Sequence, residues 1–328
     1  MHNGNGLEPL PVLTSRQWRA LPEEEKQRLR ALKKAHRAAE SAAKPKSSID
    51  ITRASPFCDH AGNPVRLDYL GNGGQCFIVL SGPSIRTLDL SLLSRRGVFT
   101  IAVNNAGTIV RPNAWVYVDT PDKFHESLWL DPAVLKFVHF RHLRRRMMLR
   151  HKLPNGEFET LQNSTGQALT IADMPGVIGI DRNADFRPER WLEEPQINWG
   201  NGKNQAAVNG NLRCLNVMFA VLKLAYSLGF RVVYLLGCDF LMSFERPYAF
   251  GQEKEAAACV SNNESYRTMN AMFRQLRPRF DAAGYRVFNC NPRSGLTVFP
   301  ACRYEDAIEA ATSHIPQDPI DASGWYYK

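Results

Sequence analysis

Short amides, hydroxyls and carboxylates recur along this chain directly behind apolar runs. Ser81 and Ser84 follow Cys76-Phe77-Ile78-Val79-Leu80, Asn104 and Asn105 follow Val98 to Val103, and Asp119 follows Trp115 to Val118. Asp239 comes after Val232 to Leu236 and Gly237, and Asn291 comes after Tyr285 to Phe288. Such side chains suit ribose hydroxyls and the polar edge of a base. Asp119 and Asp239 are also candidate ligands for Mg²⁺ beside a diphosphate, a role that needs hard oxygen donors. Arg213 or Arg267 offers a metal-free clamp on the same phosphates through the guanidinium fork. Each residue alone reads as a turn or capping position, which Asn and Asp favour anyway. Five strand ends carrying the set together point to a site.

The elements that must position these groups begin at Gln75-Cys76-Phe77-Ile78-Val79-Leu80, an apolar run without polar alternation and so a buried parallel strand. Ser81-Gly82-Pro83-Ser84 breaks it. Glycine permits close backbone approach, proline sets the turn, and Ser84 is placed to cap a helix starting near Ile85. A strand, a tight turn and a helix N-terminus together make an anion site from unpaired N–H groups and the helix dipole.

From residue 75 strand-like and helix-like segments alternate, as in a doubly wound, mostly parallel α/β sheet with helices on both faces. In such sheets ligands bind beyond the carboxyl ends of the strands at the topological switch point. Helices are expected over Leu88–Leu93, from Pro121-Asp122, over about Glu264–Ala283, and after an Asn209-Gly210-Asn211 cap, the last with Leu215, Met218, Phe219, Leu222 and Ala225 on one face. Leu135 to Val138 is a weaker strand. Residues 141–205 interrupt the rhythm and are expected to form an inserted, loop-rich lid within a catalytic domain over 51–328. Residues 1–50 read as a basic helical extension, with Pro22-Glu23-Glu24-Glu25 a good helix start and basic residues from Arg28 to Lys46.

The chain has 328 residues, 44% hydrophobic and 22% charged, a globular composition with ample material for a core. Its apolar runs fall short of the roughly 20 residues of a membrane span, and Met1 to Gly6 is polar, so a cytoplasmic protein is expected. Seven scattered cysteines suit reduced core thiols. Cys58-Asp59-His60 lacks zinc-type spacing, and no metal is expected under the leading reading. The net charge of +9 favours anionic partners. Nucleic acid is one such partner, through the basic N-terminus and the run Arg141 to Lys152. GxSxG, HExxH, GxGxxG and GK[ST] motifs are all missing, which argues against hydride transfer and P-loop hydrolysis.

Phe77 to Ser84, followed by Leu88-Asp89 and Ile101 to Asn105, resembles the opening of the bacterial sialyltransferases of glycosyltransferase family 42 and of the related hydroxymethylpterin diphosphokinases, both Rossmann-like. Leu224 to Phe240 and on to Tyr248-Ala249-Phe250 resembles a later strand and nucleotide-facing loop of the same families. Pro112-Asn113-Ala114-Trp115 with Asp119 is closer to the pterin kinases. The resemblance implies nucleotide contacts at Gly82, Ser84 and Asn104 or Asn105, a donor-phosphate contact at Tyr248, and an arginine for the sugar carboxylate near Arg213; Ser81, Pro83 and Gly237 join the expected nucleotide-binding set. The histidine base of the sialyltransferases has no counterpart between His151 and His314; Glu264 and Tyr266 occupy the corresponding region. The expectation is a glycosyltransferase-like enzyme moving a sugar from a nucleotide-sugar donor to an acceptor. Asp239, Tyr248 and Glu264 are its candidate catalytic residues, and Asp119, Arg213 and Asn291 complete the binding set. An ATP- and Mg²⁺-dependent diphosphokinase using Asp119 and Asp239 is the alternative, and a non-catalytic nucleotide-binding or nucleic-acid-associated module is a third.

Overall fold

The computed structural model describes residues 20–42, 55–147, 149–152, 158–162, 166–203, 213–245, 248–250 and 256–318. Two compact units divide the chain, Met1–Ile51 and Thr52–Lys328. In the first, helix α1 (Glu23–Ala42) starts directly after Pro22, with three glutamates in its first turn. There they oppose the positive end of the helix dipole. Ion pairs from Arg28 to Glu25 at 3.1 Å and from Arg30 to Glu23 at 3.2 Å lie along its exposed surface.

The second unit is built on a nine-stranded sheet. Its strands are β1 (Phe57–Cys58), β2 (Pro64–Val65), β3 (Gln75–Val79), β4 (Thr100–Val103), β5 (Ala114–Val116), β6 (Leu135–His139), β7 (Val177–Ile180), β8 (Val232–Leu236) and β9 (Arg286–Asn289). The spatial order is β9-β8-β3-β4-β5-β6-β7-β1-β2. The run from β9 to β7 is parallel, and β1 and β2 are antiparallel. This is the doubly wound, Rossmann-like α/β arrangement. β3 lies inside the sheet, third in this order: the chain moves outward from it through β4 to β7, then returns to place β8 on its other side. The switch point therefore falls between β3 and β8.

Both faces of the sheet are covered, which is why the strands read as unbroken apolar runs. Cys76, Ile78, Ile101, Val103, Val233 and Leu235 point into one core, shared with helix α3 (Val217–Ser227) and with Met269, Phe273 and Leu276 of helix α4 (Ala256–Ala282). Phe77, Val79, Ala102, Trp115, Tyr234 and Leu236 point into the other, shared with Trp129 of the short helix α2 (Glu126–Leu130) and with Tyr304, Ile308 and Ala311 of helix α5 (Tyr304–Thr312). α3 is buried from Val217 to Ala225 because a crossover spanning the sheet packs apolar residues on most of its circumference.

Several expectations need correction. The segment 141–205 is not merely an inserted lid, since β7 lies within it and completes the parallel sheet beside β6. The four residues Val177–Ile180 were hidden by the polar stretches around them. The helix expected over Leu88–Leu93 is a 3-10 turn, Leu90–Ser94, and the turn at Pro83–Thr87 is also 3-10. The expected Asn209-Gly210-Asn211 cap lies outside the described residues; α3 is capped by Asn216, whose Oδ1 accepts from the Met218 N–H at 2.9 Å. α5 was not anticipated.

One buried lysine supports the outer strands. Lys136 on β6 is fully buried, and its Nζ donates to the carbonyls of Asp131 at 2.6 Å, Val134 at 3.0 Å and Pro175 at 2.7 Å. Lys136→Met should strand those three carbonyls and lower stability by about 3 kcal/mol, read by urea unfolding; an unchanged midpoint would contradict this role.

Candidate functional site

The carboxyl ends of β3, β8 and β9 are tied together by one side chain. Asp239, in the loop after β8, accepts from the Ser84 backbone N–H at 3.0 Å and from the Ser84 hydroxyl, and from Asn291 Nδ2 at 2.8 Å. The turn after β3 thus does offer donors to an anion, and the anion it holds is the protein's own carboxylate. Ser84 does not cap the turn; it lies inside it, with Gly82 at the cap position. The Gly82 N–H donates to the Gly237 carbonyl at 2.9 Å. A Cβ on Gly82 would lie 2.8 Å from the Asp239 carboxylate and closer still to the Gly237 carbonyl, so glycine is needed here for loop-on-loop contact. Gly237 adopts φ 65°, the left-handed region that glycine enters without penalty.

The same loop is held from its other side. Ser294 Oγ donates to the Cys238 carbonyl at 2.6 Å, and the Gly295 N–H donates to the Asp239 carbonyl at 2.8 Å. These contacts hold Phe240 at φ 50° with its ring stacked on Tyr266 of α4, centroids 4.8 Å apart. Tyr248-Ala249-Phe250 docks on the turn through the Ala249 N–H to the Ser81 carbonyl at 2.8 Å and Arg86 Nε to the Ala249 carbonyl at 2.7 Å.

Between these loops and the start of α3 opens a crevice of about 460 Å³, at the switch point. Ser81, Gly82, Pro83, Asn104, Arg213, Gly237, Asp239 and Tyr248 of the expected set line it. Asn104 follows β4 in a left-handed conformation, φ 49°, and its Oδ1 is buried without a hydrogen bond. Arg213 is exposed and makes no hydrogen bond or ion pair with the described residues. Sequence reasoning missed Asn216, Asn262 and Ser265, which also line the crevice; only their spacing on helices that pack here could have suggested them. Burial, and then the neighbouring Tyr248, push the Tyr266 phenol well above its ordinary range, so it stays protonated and can only donate to an anion.

Other expected residues lie elsewhere. Asp119 is exposed and pairs with Lys123 at 2.8 Å, and it does not line the crevice that holds Asp239. The structure therefore does not join the two carboxylates in one site, and among the described residues no three His, Cys, Asp or Glu side chains gather as a ligand set. Asn105 sits in the 3-10 turn Asn104–Thr108, where its carbonyl accepts from Thr108 Oγ1 at 2.8 Å. Asn291 and Ser84 are engaged with Asp239 behind the crevice wall. Glu264 and Arg267 are on the exposed side of α4.

Farther along the same edge, the ends of β5, β6 and β7 bring together Tyr117, His139, His142 and Arg182. The His139 and His142 rings are 5.6 Å apart, and Tyr117 stacks over His142 at 6.3 Å. Burial, reinforced by Arg182, lowers His139 to about 3 and His142 to about 4. Arg182, lowered to about 10 by burial, stacks on Trp199 at 4.1 Å.

No family model and no curated protein matches the chain. Among solved structures, the sialyltransferase CstII from Campylobacter jejuni, solved in complex with a substrate analogue, cytidine-5'-monophosphate, is similar at 16% identity, covering 69% of this chain and 84% of that one with a TM-score of 0.33. No helix among the described residues is long and apolar enough to cross a membrane.

Gly82→Ala should drive the Gly237 loop away from the turn and cost about 2 kcal/mol by urea unfolding; a variant as stable as the parent would show that the contact yields freely. The histidines set a pH dependence. An unfolded chain protonates them near pH 6.5, whereas the fold resists until about 4 and below, so in that window the unfolded state binds more protons and stability is lost as the pH is lowered. Above pH 7 the effect vanishes. His142→Gln should recover on the order of 2 kcal/mol of the loss between pH 7 and 4.5; identical pH profiles for variant and parent would refute the shift.

Proposed function

We propose that the crevice between β3 and β8 binds the nucleotide of a nucleotide-sugar donor, and that the protein transfers the sugar to an acceptor. The observation that carries this reading is the set of polar side chains that the switch point brings to one crevice. Asn104 Oδ1 is buried with no hydrogen-bond partner among the described residues, and Arg213, which pairs with none of the described residues, shares its crevice with Tyr248 and Tyr266. An acceptor such as Asn104 Oδ1 suits a base amino group or ribose hydroxyl, and guanidinium and phenol donors suit a leaving phosphate. The volume is in the usual range for a small-molecule site, roughly 300–1,000 Å³.

Transfer from such a donor needs stabilisation of the charge that builds on the leaving phosphate. Preorganised donors supply it without metal. Arg213 and Tyr248 take that role in this reading. Asp239, with its oxygens turned to Ser84 and Asn291, positions the two loops rather than serving as the acceptor's base. The diphosphokinase alternative is less well supported, because Asp119 pairs with Lys123 outside the crevice.

A thermal-shift screen with CMP-, UDP- and GDP-sugars and with ATP, each with and without Mg²⁺, tests the reading. A nucleotide sugar should raise the melting temperature without Mg²⁺. Arg213→Ala should weaken its binding roughly 10- to 100-fold, and Tyr248→Phe about tenfold. Stabilisation by ATP with Mg²⁺ alone would overturn the transferase reading in favour of phosphoryl transfer.

A further inference from the structure

Buried cations in the sheet domain are supplied with acceptors by the protein itself. Lys136 has its three carbonyls, Lys223 donates to the Leu192 carbonyl at 2.8 Å, and Arg231 Nη1 donates to the carbonyls of Phe230 at 2.9 Å and Tyr226 at 3.1 Å. Arg182 breaks the pattern. It lies just after β7, partly buried, with one face on the Trp199 ring, and it makes no hydrogen bond or ion pair with the described residues. Its five N–H donors are partly withdrawn from water with no acceptor among the described residues, a costly arrangement unless something else brings one.

The neighbours offer more donors. His142 Nδ1 is buried with no hydrogen-bond partner among the described residues, while His139 Nδ1 accepts from the Arg141 N–H at 3.3 Å, leaving its Nε2 the proton-bearing nitrogen of the neutral ring. Arg141 and Arg145 are the other charged groups acting on the two rings. Among the described residues no carboxylate acts on Arg182, His139 or His142. This donor set suits an oxyanion, which a planar guanidinium receives through two parallel hydrogen bonds.

Position along the sheet narrows its source. The cluster occupies the ends of β5, β6 and β7, the crevice those of β8, β3 and β4, all on one carboxyl edge. With strands about 4.8 Å apart, the two lie roughly 10–15 Å from each other, the span of a substrate whose reacting hydroxyl reaches the donor while its acidic end is held farther along. We propose that Arg182, His139 and His142 form a second binding site that takes the phosphate or carboxylate group of the acceptor. The anion site stands on the geometry of the cluster; its assignment to the acceptor rests on the donor reading of the crevice.

Differential scanning fluorimetry and calorimetry on the full chain test both parts, with inorganic phosphate and acetate as probes and chloride at matched ionic strength as control. Phosphate or acetate should raise the melting temperature of the parent above the chloride control, and whichever does so names the acidic group. Arg182→Met should weaken that anion at least tenfold while leaving nucleotide-sugar stabilisation intact, and without anion it should melt no lower than the parent. Arg182→Lys, which keeps the charge but loses the fork, should weaken the anion less. Equal shifts in chloride and in the oxyanions, or full anion binding by Arg182→Met, would overturn the site. So would Arg182→Met and Arg182→Lys both melting below the parent without anion, which would make Arg182 structural. Anion binding in a chain that no nucleotide sugar stabilises would overturn the acceptor assignment alone.

Discussion

The Asp239 carboxylate is the joint on which the candidate site depends. It spans three strand ends, taking the Ser84 N–H and hydroxyl after β3 and the Asn291 amide after β9, while its own backbone continues β8. Hydrogen bonds to a charged acceptor are stronger than neutral ones, and three on one carboxylate fix its position. From that point the loop geometry follows: Gly237 turns left-handed, Phe240 is carried onto Tyr266, and the turn stays close enough for Ala249 to bond Ser81. Tyr248 and Tyr266 thereby come to line one crevice.

This joint changes what the turn after β3 does. A 3-10 turn of five residues presents few free N–H groups, and one of these is spent on an internal carboxylate. In the proposed binding role, recognition of a ligand falls to the crevice walls, to side chains from β4, α3, α4 and the Tyr248 segment. The turn fixes where those walls stand. A site of this kind gains specificity from unsatisfied side-chain groups, because a buried acceptor such as Asn104 Oδ1 is costly until something donates to it.

Buried polar groups elsewhere separate into those that hold the fold and those that do not. Asn198 is a closed case: it accepts from Trp191 Nε1 at 3.0 Å and from the Gly200 N–H at 3.0 Å, and donates to Asn183 Oδ1 at 2.6 Å. It organises the polar stretch after β7 that resembled a loose lid. Lys136 and Lys223 are likewise satisfied by carbonyls. Arg182 differs from these two lysines in having no acceptor among the described residues, and the contrast arises within one domain under one set of packing constraints.

The sequence by itself determined the layered architecture. Apolar runs without alternation require a sheet covered on both faces, and β3, β4, β8 and β9 emerge where those runs are longest. It also determined that the strand ends are polar, and that the turn after β3 is built from small residues. It did not reveal β7, whose four residues stand among polar ones, or α5. It also left unresolved which polar strand ends face a ligand and which face one another: Ser84, Asp239 and Asn291 look alike in sequence to Asn104, yet three form a closed network and one is left open. Only tertiary structure decided that, because hydrogen-bond satisfaction is a property of what lies opposite. What lies opposite is set by the return of the chain from β7 to β8, across more than fifty residues, and no local pattern carries it.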